Sequence, residues 1–101
     1  MLNETLIAQS VGKDWGLWIN GASCPPDEGN WAPLFSPADG RQIARTAQAS
    51  PKQVDKAVQV ARQGFAKWAK LTGAEREKII RKATAHVRTL AAPIGMLMAL
   101  E

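Results

Sequence analysis

Two periods of hydrophobicity divide the chain. Up to Ala47 the bulky apolar residues come in short runs broken by Gly, Pro, Asn and Asp, and from Ser50 onward they recur at spacings of three and four. The first pattern predicts short strands and turns, the second predicts helices. Leu17-Trp18-Ile19 reads as a short strand that runs into Asn20-Gly21, a pair suited to positive φ. Cys24-Pro25-Pro26-Asp27-Glu28-Gly29-Asn30 is rich in breakers and acid, and predicts an exposed loop. An extended run resumes at Trp31. Ser36-Pro37-Ala38-Asp39-Gly40 then places Pro and Asp-Gly where a tight reversal needs them, so residues 34–47 read as a hairpin. Residues 1–15 show no period and read as an arm, loose or lying against a neighbouring surface.

The helical half is more sharply specified. Ser50 is a capping residue, Pro51 fits the first helical position where its missing N–H costs nothing, and Gln53 completes a capping box. Val54, Ala57, Val58, Ala61, Phe65 and Trp68 then fall in one stripe. Gly64 interrupts this helix at a cost of about 1 kcal/mol relative to Ala, which close packing against a neighbour would explain. Leu71-Thr72-Gly73-Ala74 ends it, and Thr72 with Glu75 repeats the capping box for a second helix, whose stripe is Ile79, Ile80, Ala83, Val87 and Leu90. So short a link predicts two helices lying close together, with Trp68 and Arg76 at their junction. Pro93 ends the second helix or opens a third. Residues 94–100 are apolar on nearly every face, the mark of a helix that must be buried.

Burial of an apolar side chain stabilises by about 1.5 to 3 kcal/mol, and Met96, Leu97, Met98 and Leu100 are too many for a short helical hairpin to cover. The expectation is a piece of a larger domain. A chain of 101 residues and 10.9 kDa standing alone would bury only about 65% of the surface its unfolded form exposes. Left alone, its half-covered stripes predict aggregation or a loosely packed state. A hydrophobic content of 46% with 22% charged residues marks a folding sequence rather than a disordered one. Residues 1–11 lack the basic and apolar regions of a secretory signal, and the longest apolar run, residues 90–100, is shorter than the ~20 residues that span a bilayer. Soluble and cytoplasmic is the expectation.

Charge is unevenly placed within the net +4. Residues 1–40 carry Lys13 against Glu4, Asp14, Asp27, Glu28 and Asp39, a net −4; residues 41–101 carry twelve Lys or Arg against four acids, a net +8. A basic helical half raises the question of nucleic acid, which steep salt dependence would reveal. Asp55, Glu75 and Glu77 interleave with the basic residues, so a solvated helix face is the better reading. Cys24 is the single cysteine and His86 the single histidine, which excludes an internal disulfide and an ordinary zinc site. Cys24 precedes two prolines and two acids rather than the cation or helix N-terminus that activates a thiol, and reads as a loop cysteine rather than a nucleophile. His86 has no carboxylate one turn away and reads as a surface or boundary residue. Gly12, Gly16 and Gly21 lack the strand-turn-helix context of a phosphate loop.

These elements, in this order, resemble the N-terminal region of the aldehyde dehydrogenase superfamily over residues 17–101. Leu17-Trp18-Ile19-Asn20-Gly21 is similar to the family's opening strand and turn, and Phe35-Ser36-Pro37-Ala38-Asp39-Gly40 to its Asn-Pro-Ala-Thr-Gly turn. Val54-Asp55-Lys56-Ala57-Val58 through Phe65 and Trp68 resembles its first helix, and Glu75-Arg76 with Ile79-Ile80 its second. Leu97-Met98-Ala99-Leu100-Glu101 is similar to the segment before a Gly-Lys pair. The resemblance implies an α/β parent fold. Within it this chain is the N-terminal piece, an arm over 1–15 and then short β-hairpin elements and two or three amphipathic helices over 16–101, incomplete at the C-terminus.

The same resemblance implies oxidation of an aldehyde to a carboxylic acid with NAD or NADP, through a cysteine thiolate and a glutamate-activated water. The catalytic cysteine, the general base and the dinucleotide-binding motif would all lie beyond Glu101, so no catalytic or cofactor-binding residue is assigned here and no cofactor is expected on this chain alone. A monovalent-cation site of some members would fall on the backbone carbonyls of Leu34 and Phe35 and the side chain of Glu101; whether a metal binds is left open. The implied partners are the remainder of the dehydrogenase chain or a homologous subunit, in a homo-oligomer, with neither nucleic acid nor membrane. The rival reading is a stand-alone helical interaction module that docks through residues 94–100.

Overall fold

The structure, a computed structural model, describes residues 8–101. The first seven residues of the arm lie outside them. After helical residues at 8–10, five strands, β1 (Asp14–Trp15), β2 (Leu17–Ile19), β3 (Ala22–Cys24), β4 (Trp31–Phe35) and β5 (Gln42–Ala47), precede three long helices, α1 (Pro51–Trp68), α2 (Gly73–Thr89) and α3 (Ala91–Leu100).

The turn residues shape the β half. Asn20 and Gly21 both take positive φ, 56° and 72°, which is the backbone of a tight two-residue hairpin turn. The turn folds β3 back antiparallel on β2, with Leu17 opposite Cys24 and Ile19 opposite Ala22. The strand β3 is more than the sequence pattern predicts, because Ala22-Ser23-Cys24 carries no alternation of its own and gains strand geometry only from its partner. Gly16 is required by this hairpin: a Cβ there would lie 2.7 Å from the carbonyl oxygen of Cys24. The second hairpin opens at Trp31, three residues earlier than predicted. It turns through Ser36-Pro37-Ala38-Asp39-Gly40, where Ser36 N–H donates to the Arg41 carbonyl at 2.8 Å and Gly40 N–H to the Ser36 carbonyl at 2.8 Å. Its strands pair antiparallel from Trp31 opposite Ala47 to Phe35 opposite Gln42, with an irregularity between Leu34 and Phe35.

Within the arm, β1 runs parallel to β5, Asp14 beside Arg45 and Trp15 beside Thr46. Of the two alternatives for the arm, its described part therefore lies on a neighbouring surface, as the third strand of a mixed sheet ordered β1-β5-β4. The central strand β5 supplies the core: Ile43 is only 4% exposed and Ala44 is buried beside it. Pro33 sits in β4, an edge strand, where its missing N–H removes no ladder bond.

Both capping boxes form as predicted. Gln53 N–H donates to Ser50 Oγ at 3.2 Å while Gln53 Oε1 accepts from Ser50 N–H. Glu75 N–H donates to Thr72 Oγ1 at 3.2 Å while the Glu75 carboxylate accepts from Thr72 N–H at 2.7 Å. Arg76 bridges the junction, its Nη1 donating to the Leu71 carbonyl at 3.1 Å. The third helix begins two residues before Pro93, which lies in its first turn and is buried. A proline is tolerated there because the first four N–H groups of a helix have no intrahelical acceptor.

Packing of the helices departs from expectation. The first two do not lie along one another despite their short link, and neither buries a single residue. Most of the predicted stripe of α1 stays exposed: Phe65 is 69% exposed, Val54 and Val58 are about half exposed where they line an open cavity beside Leu17, Trp18 and Ile19, and Trp68 lies at the exposed boundary. Only Ala57 of the stripe is half-buried, together with Gln53 and Val60 next to it. Gly64 meets nothing within 4 Å of where its Cβ would be, so close packing within the described residues does not explain it. The third helix bends 67° away from α2 and is half covered, with Leu97 and Leu100 facing the sheet and Met98 70% exposed. The result is a spread-out body of 48 × 39 × 19 Å with a radius of gyration of 16.9 Å, against about 13 Å for a compact chain of this length.

Candidate functional site

Cys24 is the natural place to look for chemistry. It ends β3, half-buried, where the chain turns towards α1 and where Gln53 Nε2 donates to the Pro25 carbonyl at 3.0 Å. That bond holds the Pro-Pro loop against the start of α1, and a cavity of about 700 Å³ opens between them. Its walls include Cys24, Asp27, Lys52, Asp55 and Lys56. The loop acids were legible beside Cys24 in the sequence; the two lysines come from α1 and were not, because only the folded loop brings residue 24 beside residues 52–56. Two aspartates balance the two lysines, and no imidazole lines this cavity.

His86 stands apart, in the last turn of α2, where its carbonyl accepts from Thr89 Oγ1 at 2.6 Å. Its side chain is exposed, in keeping with a surface residue. Among the described residues no group of three or more His, Cys, Asp or Glu gathers to hold a metal. Leu34 and Glu101, two of the three residues singled out for a cation, do line one cavity, of about 140 Å³, together with Trp15, Ile43, Leu97 and Leu100. Phe35 does not. A single carboxylate against an apolar wall does not fit a hard cation, which takes six or more oxygens, so these residues form no complete cation site.

The glycines are likewise accounted for by the backbone. Gly12 and Gly21 take positive φ in turns, Gly16 lies against the Cys24 carbonyl, and none of them opens a helix. These three glycines therefore do not form the glycine turn at a helix N-terminus that cradles a pyrophosphate. The basic residues of α2 stay wet: Arg81 pairs with Glu77 one turn away at 2.7 Å, both largely exposed.

One electrostatic cluster was invisible in the sequence. Arg45 on β5 grips Asp14 on β1 with two hydrogen bonds, Nε to Oδ1 at 2.7 Å and Nη2 to Oδ2, while its guanidinium lies 5.3 Å from the centre of the Trp31 ring. Lys13 stacks over Trp15 at 4.6 Å on the same edge. The hydrogen bond from Arg45 holds the Asp14 carboxyl below the usual carboxylate range, and Asp14 in turn raises Arg45. A separation of 31 residues gives no local signal for this pair. Its role is to fasten β1 to the sheet.

Ser50, Thr72 and Asn20-Gly21 serve caps and a turn, and Arg45 with Asp14 fastens a strand, within a mixed α and β segment. The family model of the aldehyde dehydrogenase family matches residues 25–101, and the chain belongs to that family. The matched span takes in β4, β5 and all three helices.

Proposed function

We propose that these residues are the N-terminal framework of an NAD(P)-dependent aldehyde dehydrogenase domain of α/β class, in which α1 and α2 support the cofactor-binding part without touching the reaction. The observation that carries this is the outward-facing apolar stripe: Val54, Val58, Phe65, Ile79, Ile80 and Val87 stay substantially exposed on helices with two complete capping boxes. Helices so well specified at their ends and so apolar on one face are built to be covered. Family membership supports the remainder of a dehydrogenase domain as the cover. The rival reading, a stand-alone module that docks through residues 94–100 onto a longer relative, is less well supported, since Pro93 is buried and Leu97 and Leu100 already face the sheet.

Aldehyde-dependent formation of NADH or NADPH tests this reading. The native gene product is expected to form it and residues 1–101 alone are not; turnover by residues 1–101 would overturn the assignment. Cys24→Ser is expected to leave the activity of the native product within twofold of the unsubstituted protein, because the framework reading gives the nucleophile's role to no residue of this segment. Loss of turnover in a folded Cys24→Ser protein would make Cys24 the nucleophile and contradict the framework role.

A further inference from the structure

We draw no further inference here: the strongest candidate, the exposed apolar face of α1 formed by Val54, Val58, Phe65 and Trp68, is the surface that the proposed function already assigns to the rest of the dehydrogenase domain, and nothing in the structure shows what covers it.

Discussion

At the scale of single residues, several charged side chains are committed to structure. Arg45 illustrates it: one guanidinium fastens β1 through Asp14 and stacks on Trp31 of β4, so it ties both neighbours of β5 to the central strand. The pair has a pH signature whose sign is fixed. Because the folded Asp14 pKa lies below its unfolded value, about 3.9, the contribution of the pair is present above that value and is lost as pH falls through the folded pKa. Thermal melts of the native product from pH 6 to pH 2 should therefore show Asp14→Asn less stable than the parent at pH 6, with the difference shrinking as the parent's carboxylate is protonated. A difference independent of pH would mean that the ion pair is not what Asp14 contributes. The pair is exposed at both ends, so its contribution is small and falls with salt.

At the scale of elements, helix ends and helix faces behave differently. The ends are local: Ser50-Pro51-Lys52-Gln53 and Thr72-Gly73-Ala74-Glu75 contain every group their capping boxes use, which is why both starts were legible in the sequence. Ser50→Ala removes a cap whose hydroxyl is buried, and is expected to cost about 1 kcal/mol, read as a lower denaturant midpoint of the native product with an unchanged slope. An unchanged midpoint would show that the cap does not hold α1. Faces depend on partners. The 3.6-residue period of α1 was legible, but its cover was not, and among the described residues only Ala57 of that stripe is half-buried, beside Gln53 and Val60. The same limit explains β1 and β3: two- and three-residue strands carry no period and exist only through pairing with β5 and β2. Phe65 separates the two possibilities. Phe65→Ala is expected to change the helicity of residues 1–101 little, since the ring is largely exposed there. In the native product it is expected to cost about 3 to 5 kcal/mol, the usual loss for a buried Phe. Equal, small effects in both would mean that the face stays wet.

At the scale of the whole molecule, the fold is a small mixed sheet with its core on Ile43 and Ala44 and helices that reach away from it. Among the described residues the apolar faces of α1 and α2 stay largely open, and the chain belongs to the aldehyde dehydrogenase family over residues 25–101. The family was legible from the order of elements, but the spread of the helices was not, because their mutual distance is set by whatever packs between and beside them rather than by the length of their link. The central claim is that this chain is the framework of a longer dehydrogenase, and the intact mass of the native product in its source cells tests it most directly. The account predicts a mass several times 10.9 kDa; a native product of about 10.9 kDa would contradict it.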